Sequence, residues 1–274
     1  MLEVSPFQEA VERMKGRTPI AVALRSDEWA DMPQELRDRA FWTAQFASAD
    51  VLQLMHDKIV KTLEMGREQV KNGERFVSRS SFIGDLKQSL QDAGYVPPVG
   101  KEGSLQDHSS RGRLGLIYDI NTQMAAEFGD WKVGQDPAIL DRFPAQELYR
   151  EMQRKVPRRW RQRWAAHGGH EFAGRMIARK NDPIWKAISA FGNPYPPFDY
   201  NSGMGIRDIG RAEAEKLGVI SPGEQPRRLD GSFNQSLSSS VEKLDPAIKA
   251  SLLAQLGHMA RLDNTTATFT GESR

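Results

Sequence analysis

The chain has 274 residues, 39% of them hydrophobic and 27% charged, with a formal net charge of +2 and no cysteine. That length accommodates one large or two modest domains around a real core, and the near-balanced charge confines any nucleic-acid affinity to local patches. The missing thiols exclude disulfides, cysteine nucleophiles and cysteine-ligated zinc. No apolar run approaches the roughly 18 residues of a membrane span, and the N-terminal MLEVSPFQEAVERMKG has no apolar signal core, so the chain is expected to stay in the cytoplasm where it is made.

Phe7, Ala10, Val11 and Met14 share one face of a short helix expected over 6–15, and 18–31 reads as an irregular connector. From 33 to 66 apolar residues (Leu36, Ala40, Phe41, Ala44, Ala47, Val51, Leu54, Met55, Ile59, Leu63) recur every three or four positions. An unbroken helix of ~33 residues would be a rod of about 50 Å, either internal to a bundle or an arm docking onto another subunit. Asn72-Gly73 signals a turn. Ser80 or Ser81 caps a helix running to Gly94, with Phe82, Leu86 and Leu90 on its buried side.

The stretch 95–110 holds Pro97-Pro98, Gly100 and Gly103 and little that forms core, so a mobile loop is expected. Helical spacing returns through Leu114, Ile117, Tyr118, Asn121, Met124, Ala125 and Phe128, with a stop at Gly129. Asn121 is expected to be an amide satisfying a nearby backbone group. Short strands follow at 147–152, 174–179 and 205–209, with a helix over 211–217. A polar Gly/Pro/Arg linker, a helix over 245–259 and a frayed tail complete the chain.

Between the second and third strands, 182–209 concentrates aromatics, prolines and glycines. Pro183, Pro194, Pro196 and Pro197 bar a long helix or a central strand. Trp185, Phe191, Tyr195, Phe198 and Tyr200 carry apolar surface that favours packing down, and Asn193, Asn201, Gly192, Gly203 and Gly205 supply turn chemistry. The structural determinants of this knot are expected to be Trp185, Tyr195, Pro196, Pro197, Phe198 and Asn201.

From Arg150 to Arg163 there are seven basic residues against one acid, Glu151. Trp160 and Trp164 fall on one helical face, and Arg159 and Arg163 on another. Two readings stand. Arg158, Arg159, Arg161 and Arg163 form a phosphate-binding patch, or the arginines are solvated and pair with acids elsewhere. His167-Gly168-Gly169-His170 is the one histidine pair. It lacks an acidic third ligand, so a glycine turn is expected over a metal site or general acid–base use of His170 with Arg175 or Asp182. No phosphate-binding glycine loop, nucleophile elbow or helix-turn-helix spacing is visible, so no catalytic residue, cofactor or metal is assigned.

The combination Asp182-Pro183-Ile184-Trp185, Tyr195-Pro196-Pro197, Asn201 and a short strand running into a polar helix resembles the C-terminal signature of the bacteriophage minor head proteins, the Mu-type head morphogenesis family. Upstream, Arg39-Ala40-Phe41-Trp42-Thr43-Ala44 falls where such proteins carry an Ala-Arg-Ala-Phe-like helical segment. Asp119-Ile120-Asn121 followed by Ala125 and Ala126 resembles their Asp-Thr-Asn helix, and Glu147-Leu148-Tyr149-Arg150 their Glu-Tyr-Arg strand. The motifs run in family order over 6–220. Many members carry a Cys-x-Cys pair just after the Asn; here Ser202 and Met204 stand there, so no metal or disulfide is carried over.

The expected fold is α+β: a mostly helical first half with a long helix, then a small β-sheet with the Pro/aromatic-rich irregular region. Three segments are expected: a helical region at 1–143, a small α+β domain at 144–220, and a linker, helix and tail at 221–274. The resemblance implies a non-enzymatic virion component that associates with the portal protein, scaffold or major capsid protein. Such a component passes from the host cytoplasm to the inside of the phage head, with double-stranded DNA as a further partner and no membrane. The alternative is a small metal-independent nuclease or toxin-like effector carried in the virion, using His167, His170 and the arginines.

Overall fold

The structure is a computed structural model describing residues 6–30, 32, 34–46, 48–72 and 79–227, with 238–240, 246, 250, 254, 260–262 and 266–269. The class is α+β, with helices dominating the first half. Two compact units are present, one of Ala10–Thr122 with Ser232–Arg274 and one of Met1–Glu9 with Gln123–Gly231. The division falls within two continuous helices, α1 (Pro6–Lys15) and α6 (Arg111–Gly134).

In the first of these units, Ala10, Val11 and Met14 of α1 are buried, as their spacing predicts. The connector over 18–31 is more ordered than expected. It contains β1 (Thr18–Pro19) and α2 (Ser26–Ala30), and Ile20, Val22 and Leu24 alternate into a core with Met32, Leu36 and Ala40.

The expected rod over 33–66 is not one helix. It divides into α3 (Gln34–Arg39), β2 (Ala40–Phe41) and α4 (Ala49–Asn72). Tertiary pairing overrides the helical stripe, because β2 lies parallel to β1 and the Phe41 carbonyl accepts from Ile20 N at 2.9 Å. Trp42 stacks on Trp29 at 4.5 Å and donates from Nε1 to the Val22 carbonyl, while Gln45 adopts φ 57 and donates to the Leu24 carbonyl. The Arg39–Ala44 motif is therefore a helix end, a strand and a turn. The 24-residue α4 is about 36 Å long.

Helix α5 (Arg79–Asp92) buries Phe82, Ile83, Leu86 and Leu90. It closes in a Schellman arrangement: Gly94 at φ +75 donates to the Gln91 carbonyl and Tyr95 N to that of Leu90. The irregular stretch over 95–110 is cross-linked by Asp107, which accepts from Gly103 N and from Ser109 N and Oγ. Ser110 Oγ then caps α6 by accepting from Arg113 N. Asn121 donates to the Ile117 carbonyl of its own helix at 2.8 Å.

In the tail, β9 (Thr266–Phe269) lies between β7 (Ser238–Ser240) and β8 (Ala260–Leu262) in an antiparallel sheet. The expectation of fraying fails there, because Thr-Ala-Thr-Phe is β-branched and aromatic and finds pairing partners. Most of the helix expected over 245–259 and the Gly73 turn lie outside the described residues.

In the second unit, α6 does not stop at Gly129. Gly129 is itself buried, and the next turn buries Trp131, whose ring and that of Phe128 each meet Tyr195 at 5.8 Å. A mid-helix glycine costs only about 1 kcal/mol against alanine, less than burying a tryptophan returns. Asp136 caps α7 (Pro137–Arg142), accepting from Ala138 N, with proline in the first turn.

The sheet that follows has the order β4-β5-β3-β6 and is antiparallel throughout. Its strands are β3 (Ala145–Arg150), β4 (Glu171–Phe172), β5 (Arg175–Arg179) and β6 (Met204–Ile209). Helices α8 (Trp160–Ala166) and α9 (Ile184–Ala187) lie in the connections between them, and α10 (Arg211–Lys216) follows β6. Both faces are covered. Leu148, Met176, Ala178 and Met204 meet Trp160, Trp164, Trp185 and Phe198 on one side, and Ala145, Ile177 and Ile209 meet Ala214, Val219 and Ile220 on the other. No described helix is long and apolar enough to cross a membrane.

Candidate functional site

The aromatic knot is a packed core element. The Asp182 carboxylate accepts from Ile184 N and starts α9, which places Trp185 in the core. There its Nε1 donates to the Arg179 carbonyl at 2.7 Å, and its ring meets Trp164 at 5.3 Å and Phe198 at 6.0 Å. Pro196 and Pro197, joined by a cis peptide, are buried beside Tyr195 and Phe198. Asn201 is exposed at φ 49 where the chain reverses, and Ser202 and Met204 behind it are buried, with Met204 N donating to Ser202 Oγ.

The end of the knot is the seat of the arginine-rich segment. Glu151 N and Met152 N both donate to the Gly203 carbonyl, at 3.0 and 3.1 Å. Gly203 has φ +64, and a Cβ there would lie 2.6 Å from the Met152 carbonyl oxygen and 3.0 Å from Arg154 Nε. Glycine is required both by conformation and by the close approach. Four residues earlier, Asp199 receives Arg163 Nη1 at 3.0 Å and Arg158 Nε at 3.5 Å, and Arg158 Nη1 donates to the Tyr200 carbonyl.

The four arginines expected to contact phosphate therefore differ in role. Arg158 and Arg163 converge on Asp199, and Arg163 also lies 5.0 Å over the Trp160 ring. Arg161 pairs with Glu171 and donates to the Gly174 carbonyl at 2.8 Å. Arg159 is exposed at the start of α8 and makes no ion pair among the described residues. Arg150, Arg154 and Lys155 likewise have no acid partner there, and Arg150 Nη1 and Arg154 Nε are enclosed without an acceptor.

His167 and His170 do not form a paired site. His167 Nδ1 sits 2.8 Å from the Arg163 carbonyl, to which its N–H donates, and the His170 carbonyl accepts from Trp164 Nε1. The glycines between them make a turn, with Gly168 at φ +82. A Cβ on Gly169 would lie 2.4 Å from Trp164 Nε1. Among the described residues no group of three His, Asp or Glu side chains is placed to hold a metal. His170 and Asp182 do line a common cavity of about 90 Å³ with Trp164 and Arg179. It has room for a few waters and none for a nucleotide. The other partner considered for His170, Arg175, is committed elsewhere.

That commitment is a network on the opposite sheet face. The buried Glu147 accepts from Arg175 Nε and Nη2 at 2.9 and 2.6 Å and from Arg207 Nε at 2.8 Å, and Arg175 Nη1 reaches Glu213 at 2.6 Å. Burial alone would raise the Glu147 pKa, but the hydrogen bonds from Arg175 and Arg207 outweigh it and hold the carboxyl below its ordinary range. Glu127 has the opposite environment. Burial, then Asp130 and Glu151, push its carboxyl up to about 7.

Sequence reasoning located the basic run, the knot and Gly203 as a turn residue, but not Asp199, which joins run to knot, nor Glu171, which ties the run to β4. Asp199 directly follows the knot's last buried aromatic, Phe198, and that adjacency was the available signal. No protein-family model, curated protein or solved structure matches this chain.

Proposed function

We propose that the chain is a structural component of a bacteriophage head, a minor head protein that associates with the portal and the procapsid interior and whose arginine-rich segment contacts packaged DNA. One observation supports this reading above the rest. Motifs separated in sequence, Glu147-Leu148-Tyr149-Arg150, the Pro/aromatic knot, and the strand running into a polar helix, are parts of a single sheet unit, as β3, the 182–203 knot, β6 and α10. In that unit the knot is a folding determinant, with Trp185 and Phe198 wholly buried. It carries the basic segment on its surface.

Co-expression with the portal protein of the same genome tests the reading. The chain is expected to co-purify with the portal and to leave DNA intact, with or without divalent metal. Failure to associate, together with DNA cleavage abolished by His170→Ala, would transfer the assignment to the virion-carried nuclease.

A further inference from the structure

We infer that the phosphate-contacting set of this protein is Arg154, Lys155 and Arg159, and that Arg158, Arg161 and Arg163 hold the segment on the fold. This rests on the reading of 150–163 as a nucleic-acid-contacting segment and assigns its residues.

A guanidinium already satisfied by a carboxylate has little to offer a phosphate, since exchange of one anion for the other leaves the first unpaired. Arg158 and Arg163 share the half-buried Asp199, and Arg161 is held by Glu171 and the Gly174 carbonyl. These four contacts tie the segment to the knot, to β4 and to the turn after β4. The remaining cations make no ion pair among the described residues: Lys155 and Arg159 are exposed, and Arg154 crosses Gly203 with its Nε enclosed and unpartnered. Arg150 is left out of the set because it belongs to β3, where it pairs with Met204, and not to the irregular stretch.

The ligand class follows from the shape of this stretch. From 151 to 159 the backbone is irregular, and Pro157 forbids a helix continuing through it. Cations on an irregular stretch offer charge to a nucleic-acid backbone and present no base-reading helix, so binding is sequence-independent. Met152 and Val156 are exposed beside the cations, Val156 at 87%. They belong to no helical face that could lie in a lipid interface, and duplex DNA is favoured over a membrane.

The experiment compares the full-length wild type with R154Q/K155Q/R159Q and with R161Q, titrating a random-sequence DNA duplex against salt and measuring the melting midpoint of each. The triple variant is expected to keep its midpoint and to lose up to about 2.7 from the slope of log K against log salt, roughly 0.9 per phosphate contact. R161Q is expected to lower the midpoint and leave the slope unchanged. Wild-type binding with equal slopes in the triple variant would overturn this assignment alone. No wild-type binding at low salt would overturn the DNA reading itself. Binding to anionic phospholipid vesicles that Val156→Ser abolishes would overturn it in favour of a membrane.

Discussion

Arg163 Nη1 lies 3.0 Å from the Asp199 carboxylate, joining the arginine-rich segment to the turn that ends the aromatic knot. Both side chains are largely enclosed, at 28% and 16% exposure, and Arg158 shares the same oxygen. Replacing Asp199 by Asn leaves two guanidinium groups without their counter-charge. The expected loss is about 1 to 2 kcal/mol, above that of an exposed pair and below that of a fully buried one. Urea unfolding measures it. A midpoint equal to wild type would show that the segment is seated without Asp199.

Trp185→Ala or Phe198→Ala removes a wholly buried aromatic from the core that α8, α9 and the sheet share. Each should cost about 3 to 5 kcal/mol, a large share of a domain's total stability. Thermal melts within a degree or two of wild type would mean that the rings are exposed in solution and that the knot is a binding surface.

Gly203→Ala should be costly for a different reason. The added Cβ meets a backbone oxygen, and the residue holds a left-handed φ. Strain of about 1 to 3 kcal/mol is expected. Because Glu151 and Met152 hang from this carbonyl, protease sensitivity over 151–159 should rise as well. Unchanged stability and proteolysis would contradict the close approach.

Glu127 should make stability depend on pH. Its folded pKa, about 7, lies above the ordinary glutamate value near 4.3, so the folded state binds the proton more tightly than the unfolded state. Stability therefore falls as pH rises between those values, by roughly 3 to 4 kcal/mol when complete, and the penalty is absent below about pH 4. Glu127→Gln should flatten that part of the profile and stabilise the protein at pH 8. An identical pH profile in the variant would place the carboxyl in water.

Local pattern made some of this legible. Helices α1, α5 and α6 show their buried faces in 3.6-residue spacing, and the aromatic and proline content of 182–209 announces a packed irregular region. The stripe over 33–66 misled because periodicity registers apolar spacing but not a partner. Ala40-Phe41 fits a helix face equally well until Ile20 supplies the parallel pairing. Gly129 misled in the opposite direction, since a helix runs through glycine when the next turn buries a residue such as Trp131. Ion-pair partners 28 to 60 residues apart, such as Glu147 with Arg175 and Arg207, leave no local trace. That is why the basic run could be seen as a patch but not divided into anchoring and free cations.

Mass spectrometry of purified procapsids and mature heads, assembled from the genome that encodes this chain, tests the head-assembly role most directly. The expected result is the full chain in procapsids at a few copies per portal. Its absence from both particles, with the protein found only free in the cell lysate, would contradict that role.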